Sequence, residues 1–314
     1  WLRPFLLITL ISLAVVLIPG VGKVAGGARR WIDVGLVRFQ PSEFAKLSIV
    51  VYAASLLARR EEEIKEFKKL LFPLFVPLLL IIGVLVMLQP DLGTIFTIFL
   101  SVFVLLFLSG ARISHLLGIG GTGVLAVAIL ILSESYRRQR FLSFLNPWKN
   151  PQGSGFHIIQ SLIAFGSGGI SGMGLGMSRQ KFFYLPAAHT DFIFAIIGEE
   201  LGLIGSLFVV LMFLFITVIG VRTALRARDQ FGKLLAAGIV SVIACQALIN
   251  MGAVTGIIPI TGIPLPLVSF GGSSLLFSLS GIGILLNVAC QERPKASGAK
   301  SENPNLRGRY RRPH

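Results

Sequence analysis

In the stretch LPAAHTDFIFAIIGEE, residues 185–200, His189, Thr190 and Asp191 stand directly before an apolar run, and Glu199 and Glu200 lie further inside it. A carboxylate so placed can take the proton of an attacking hydroxyl, or it can cap the following helix by accepting backbone N–H bonds. Position alone supports both roles for Asp191 equally. The crowding of His189 and Thr190 at the same point, and the cations Arg179 and Lys181 a few residues earlier, favour chemistry. Glu199 and Glu200 cannot share one bond with Asp191, because eight residues of helix advance about 12 Å and nine put Glu200 on nearly the opposite face. The paired-carboxylate geometry of a glycosidase therefore fails within this segment. An ionised Glu at that depth costs on the order of 3 kcal/mol, so both are expected to face the bundle interior as structural polar contacts with donors nearby.

A second constellation is GGARRWIDVGLVRFQPSEFAK, residues 26–46. Pro41 sits where a helix would begin, and Glu43 and Lys46, three apart, share a face on which a buried ion pair makes both tolerable. A purely structural pair has the better base rate, yet the neighbouring Arg29, Arg30 and Trp31 suit a phosphate and an amphipathic contact at the membrane surface. Asp91 in QPDLG is placed to cap the helix after it. The proline-rich stretch GIIPITGIPLPLVSFGGSS, residues 256–274, is apolar without being helical. It reads as one wall of the site, with Ser269, Ser273 and Ser274 as candidate donors, or as an ordinary surface turn. The glycines of GMGLGMS follow no strand and no GxxxxGK[ST] occurs, so they suit tight turns or close backbone approach to a ligand, not a nucleotide loop.

The elements that must hold these groups belong in lipid. The chain of 314 residues is 54% hydrophobic and 14% charged, with mean hydropathy +0.81, well outside the range of soluble domains. Apolar runs near 20 residues long match a hydrocarbon core about 30 Å thick, and strand-like alternation is absent. The expected fold class is all-α, a polytopic transmembrane helix bundle, with spans at 4–20, 42–58, 70–88, 92–109, 115–132, 192–220, 233–252 and 273–290. The first run, opening at Trp1, is read as a span of an N-terminally truncated chain and not as a signal peptide. Residues 1–290 form the transmembrane domain, and 291–314 a disordered basic tail on the cytoplasmic side. Cys245 and Cys290 have no CxxC spacing and read as small core residues.

Basic residues orient the bundle. Arg3, Arg59, Arg60, Lys65, Lys68, Lys69, Arg112, Arg222, Arg226, Arg228, Lys233 and seven in the tail share one side, 18 in all; the other side holds 10, in the loops around 23–38 and 137–181. The richer side is assigned to the cytoplasm. The net charge of +15 then belongs to membrane topology, and no nucleic-acid partner is expected. The outer face is still basic, which points to an anionic partner there. The outer loop at about 133–190 is long enough to be functional, and its apolar middle, Ile158 to Phe165, is too short to span and should lie in the interface or re-enter.

The strings GARRWI, FQPSEFAK, QPDLGT, GSGGISGMGLGMSRQKFFYLPAAHTDFIFAIIGEELGLIG and PLPLVSFGGSSLL, in this order over nearly the whole chain except the tail, resemble the SEDS family (shape, elongation, division and sporulation), and its division branch more than its elongation branch. The resemblance implies ten transmembrane helices, two more than read here. It also implies polymerisation of lipid II into glycan strands outside the bacterial cytoplasmic membrane, alongside a class B penicillin-binding protein and other division proteins. It matches Asp191 to the family's essential carboxylate, and Glu43 and Lys46 to its polar pair. The residues fit that chemistry: a diphosphate leaving group needs cations more than a proton, so one base suffices. Asp191 is expected to deprotonate the acceptor hydroxyl as it attacks with inversion. Arg30, Lys46, Arg179 and Lys181, or a divalent cation such as Mg or Mn, would stabilise the diphosphate, with Trp31, His189, Thr190, Ser269 and Ser273 lining the site and the lipid tails lying among the spans. The rival readings are a lipid II flippase and a non-catalytic scaffold; a flippase needs a polar path to both faces, whereas the clusters gather outside.

Overall fold

The computed structural model describes residues 2–25, 28–34, 37–61, 64, 76–78, 80–81, 84, 89, 91–183, 185 and 187–291. Within them the chain runs α1 (Leu2–Val15), β1 (Gly22–Ala25), β2 (Ala28–Val34), β3 (Val37–Phe39), α2 (Pro41–Arg59), α3 (Leu92–Leu108), α4 (Ile113–Ser133), α5 (Ser135–Leu145), α6 (Phe156–Gly168), α7 (Gln180–Phe183), α8 (Ile193–Arg226), α9 (Gln230–Val254) and α10 (Gly272–Cys290). Five of these, α2, α4, α8, α9 and α10, are long and apolar enough to cross a membrane, and α1 and α3 are shorter apolar helices. The protein is a multi-pass membrane helix bundle. Most of the span expected at 70–88, and the tail beyond Gln291, lie outside the described residues.

Helix α9 is the hub, packed against α8, α3, α2 and α10. Small residues make this possible. A Cβ on Gly238 would stand 2.5 Å from Val50 Cγ1 of α2 and 3.2 Å from Leu105 Cδ1 of α3, so only glycine lets both neighbours approach. By the same measure α4 is peripheral: 6% of its apolar stretch is buried, against 78% of that of α9. Hydroxyls within the helices bond their own backbone, as Ser101 Oγ donates to Thr97 O at 2.8 Å.

Two expectations are corrected. The run at 4–20 is helical only to Val15; residues beyond it turn, Pro19 and Gly22 form a bridge, and Gly20 takes φ +93°. Strands are also present: β1, β2 and β3 form an antiparallel sheet in that order, with Lys23 opposite Trp31 and Ile32 opposite Phe39. The four- and three-residue strands offer little length for a period of two, and the seven-residue β2, ARRWIDV, pairs like with like instead of alternating.

The 13-residue α6 is the apolar segment too short to span, and it lies along α8. A Cβ on Gly168 would come 1.9 Å from Gly198 O, so these helices touch backbone to backbone. Helix α8 is itself broken, with Gly202 at φ +68°, ψ −158°. Residues 168–174 fill the break: Met173 N and Gly174 N donate to the carbonyls of Glu199 and Glu200, both at 3.0 Å, while Leu203 N and Ile204 N donate to Gly169 O and Ile170 O at 2.9 and 3.2 Å. A Cβ on Gly202 would meet Gly172 N at 2.4 Å and Ile170 O at 2.5 Å, backbone atoms that cannot swing aside. Gly202→Ala is therefore expected to destabilise the fold by about 2 kcal/mol or more, from left-handed strain and the clash together. Thermal unfolding in detergent measures this, and an unchanged midpoint would show the break to be incidental.

Candidate functional site

The site lies where the N-terminus of α3, the end of α9 and the segment 256–271 meet the turn before α8. Three successive carbonyls of that turn are held from outside it. His189 O accepts from Phe270 N at 2.9 Å, Thr190 O from Ser269 Oγ at 2.5 Å, and Asp191 O from Asn250 Nδ2 at 2.8 Å. The same Asn250 amide donates to Ile263 O at 2.7 Å. Ala187 bends the turn with φ +58°, and Thr190 N closes it on Ala187 O at 3.1 Å. Gly262 lies beside the carboxylate, where a Cβ would make ordinary contact with Asp191 Oδ2 at 3.6 Å, and its φ of +72° is what calls for glycine there.

The Asp191 side chain does not cap α8. The N-cap position is Phe192, and no side-chain bond closes that helix end. By contrast Asp91 caps α3, taking Thr94 N at 3.3 Å and Thr94 Oγ1 at 2.9 Å. Half-buried Asp191 sits instead in a field of charges. Burial pushes its carboxyl above the ordinary carboxylate range; the Thr190 hydroxyl and the guanidinium groups of Arg30 and Arg140 pull it down, and the charge of Asp91 adds to the rise. Arg30 comes from β2 and donates through Nε to Gln89 O at 2.7 Å. Exposed Arg140, on α5, lies 5.2 Å over the Tyr136 ring. The His157 ring of α6 stacks on Phe192 at 5.8 Å and 13°. Burial first, then the Arg140 charge, holds that imidazole below its ordinary range, so it is neutral at pH 7. Its Nδ1 is buried and has no hydrogen-bond partner among the described residues.

The other residues singled out from sequence have different places. Glu43 and Lys46 form a buried ion pair at 2.7 Å. Lys46 Nζ also donates to Gln246 Oε1, and Gln246 Nε2 donates to Pro264 O at 2.9 Å. The pair thus braces the 256–271 wall, whose Leu265 N donates at 2.7 Å to the Ser269 hydroxyl that holds Thr190 O. A small cleft opens beside it, with Glu43, Lys46 and Gln246 at the polar part and Val50, Ile239 and Phe277 among its apolar lining. Asp191 does not line that cleft. Lys181 Nζ pairs with Glu200 Oε1 at 2.6 Å, which ties its side chain to α8, whereas exposed Arg179 is tied there through its main chain, its N–H donating to Glu199 Oε1 at 3.0 Å. The hydroxyls of Ser269 and Ser273, expected as donors to a ligand, are taken by backbone: Ser273 Oγ donates to Arg38 O at 2.7 Å and accepts from Gln40 N at 2.9 Å. Each has one hydroxyl proton, and both protons are committed. Ser274 Oγ is buried without a partner among the described residues. Trp31 is half-buried in β2 and the His189 side chain is exposed. Gly172, Gly174 and Gly176 all have positive φ, and the close approach at Gly172 is to Glu200 O, 2.1 Å from a would-be Cβ, not to a ligand.

Sequence reasoning missed Arg140, His157, Gln246 and Asn250. The last two carried a signal, being amides four apart on one face of an apolar helix. Nothing in YRRQR marks which arginine turns to the site; Arg137 is the buried one, donating to Leu130 O at 3.3 Å. Among the described residues no three His, Cys, Asp or Glu side chains are grouped to hold a metal ion.

The chain matches a family model described as cell cycle protein, FTSW_RODA_SPOVE, over residues 1–294. It is 48% identical over 296 residues to stage V sporulation protein E of Bacillus subtilis, covering 93% of this chain and 80% of that one. It is 46% identical over 286 residues to a probable peptidoglycan glycosyltransferase FtsW of Geobacter metallireducens, covering 91% and 76%. Among solved structures it resembles a chain of a peptidoglycan synthase complex that coordinates polymerization and crosslinking, with TM-score 0.74, 32% identity, and coverage of 94% and 82%. The rod shape determining protein RodA of Thermus thermophilus gives TM-score 0.66 at 28% identity, covering 94% and 79%.

Proposed function

The chain belongs to the FtsW/RodA/SpoVE family of cell cycle proteins, and on that premise we propose that it is a peptidoglycan glycosyltransferase polymerising lipid II in septal cell-wall synthesis. One observation carries the role of Asp191: a carboxylate at a helix start that leaves the helix uncapped and stands in the field of two arginines. In the proposed step a carboxylate oxygen of Asp191 takes the proton of the acceptor sugar hydroxyl as the hydroxyl oxygen bonds to the donor anomeric carbon from the face opposite the leaving group. The bond to the lipid diphosphate breaks, and the diphosphate leaves with the electron pair. Arg30 and Arg140 supply the positive charge it needs, as delocalised, always-charged forks suited to phosphate. Lys46, Arg179 and Lys181 support the site's walls. Asp91 retains carboxylate lone pairs beyond those Thr94 uses, and a divalent ion such as Mg or Mn would take it together with substrate oxygens; such an ion would add charge neutralisation at the diphosphate. The excess of basic residues at the opposite end supports a site facing outward from the bacterial cytoplasmic membrane. The apolar wall of the Glu43–Lys46 cleft suits a hydrocarbon chain. The synthase complex to which the chain is similar supports a class B penicillin-binding protein as partner, with other division proteins around it.

The test is polymerisation of purified lipid II in proteoliposomes with that partner, wild type against Asp191→Asn. Lost polymer with insertion intact supports the enzyme; polymer retained, or loss of transbilayer movement alone, supports the flippase. The pH profile adds a sign. Asp191 must be ionised, so kcat falls as pH drops through its raised pKa, and the acid limb lies above the ordinary carboxylate range. Removing a cation that holds this pKa down, as in Arg140→Gln, is expected to move the limb to higher pH. Asp91→Asn removes a like charge and is expected to move it lower. Shifts in the same direction would show that these charges do not act on the titrating base.

A further inference from the structure

Glu199 is 1% exposed in the broken stretch of α8, and its carboxylate takes no part in the proposed chemistry. Three donors from the preceding loop converge on it: Ser178 Oγ, Arg179 N at 3.0 Å and Gln180 N at 3.3 Å. Glu200 adds Lys181 Nζ at 2.6 Å and Ser178 N at 3.4 Å. Ser178 Oγ in turn accepts at 3.2 Å from the N–H of Lys181, the second residue of α7. Residues 178–181 are thus fastened to 199–200, and the chain between them is a closed loop that contains Asp191. A short path runs from the fastening to the reacting group. Gln180, whose N–H is on Glu199, accepts through its carbonyl from Leu185 N at 3.0 Å, and the turn at Ala187 follows. The far side of the loop is pinned by Asn250, Ser269 and Phe270.

A buried carboxylate with three donors makes charge-assisted bonds, roughly twice as strong as neutral ones, and fixes their directions. The main-chain bonds at the Gly202 break hold residues 169–174, whereas residues 178–181 are held to α8 by the carboxylates of Glu199 and Glu200. We propose that Glu199 is a positioning residue for Asp191: through Ser178, Arg179 and Gln180 it sets the height of the loop against α8, so that the Asp191 carboxylate meets the acceptor hydroxyl. This rests on the reading of Asp191 as the base.

Glu199→Gln keeps shape and volume but turns one acceptor oxygen into a donor facing N–H groups. It is expected to lower kcat for lipid II polymerisation by at least about tenfold, since misplacement by 1 Å can cost about 10²-fold, with KM within about threefold of wild type. Ser178→Ala is expected to lose less, and Ser178→Ala/Glu199→Gln to be no worse than Glu199→Gln alone, because both act through one contact. Wild-type kcat in Glu199→Gln, a loss confined to KM, or losses that multiply in the double variant would each overturn the proposal. If Glu199→Gln does not accumulate in membranes, Ser178→Ala decides: reduced kcat at constant KM supports the role, and unchanged kcat refutes it. Asp191→Asn is measured in parallel. Polymer surviving that change overturns the base itself, whereas an inactive Asp191→Asn beside a fully active Glu199→Gln overturns the positioning role alone.

Discussion

Asp191→Asn is expected to reduce kcat by about 10²–10⁴-fold, the range for losing a general base, while leaving the folded protein at least as stable as wild type. The first half follows from chemistry: an amide keeps the shape and hydrogen-bonding reach of the carboxyl but cannot take a proton. The second follows from geometry and the sign of the pKa shift. Because Asp191 does not cap α8, no helix end is opened. Because burial raises its folded-state pKa, the ionised group destabilises the fold at pH above its unfolded value, and a neutral amide relieves that. Asp91→Ala makes the contrast, since removing the cap of α3 is expected to cost about 1 kcal/mol. Thermal melts beside polymerisation rates separate the two aspartates. A large drop in melting temperature for Asp191→Asn would mean that the carboxylate holds the turn together.

Lys46→Met should have the largest effect on stability. Glu43 and Lys46 are 3% and 3% exposed within α2, and removing one member leaves the other's charge buried without its partner, typically a cost of about 3–5 kcal/mol. Here the lysine also holds Gln246, and through it Pro264 and the wall that carries Ser269. The expected result is a steep fall in melting temperature together with loss of polymerisation. The double change Glu43→Gln/Lys46→Met removes both charges and should recover most of the stability, because a buried amide carries a far smaller desolvation penalty than a lone buried charge. Recovery of stability without recovery of rate would show that Lys46 has a second task at the Gln246 brace; a double variant as unstable as the single would remove the ion-pair explanation.

The bundle was legible because lipid imposes one strong rule, long apolar runs, on α2, α4, α8, α9 and α10. The Glu43–Lys46 pair was legible for a similar reason, as three-residue spacing on a helix leaves charged neighbours little choice. Where Asp191 points was not. Its N-cap role was excluded only by seeing α8 start one residue further on, a difference of a single position that no pattern resolves. Arg140 lies 51 residues before Asp191 in a run with two other arginines, and only the packing of α5 near α6 and the turn selects it. The sheet escaped because its pairing is local and its strands short. Arg179 and Lys181 stand close to Asp191 in sequence, yet Lys181 pairs with Glu200 deeper in α8 and Glu199 holds the main-chain N–H of Arg179, contacts that no spacing rule foretells.

The splice at Gly202 also constrains the order of assembly. Segment 168–174 leaves the ribosome before the helix it completes, so its donors and acceptors are already made when residues 199–204 enter the bilayer. Bare carbonyls in hydrocarbon cost several kcal/mol each, which means that α8 must insert unbroken or wait for its filler. In either order the kink is a tertiary event, acquired when the two segments dock, and the loop bearing Asp191 takes its final shape only at that moment.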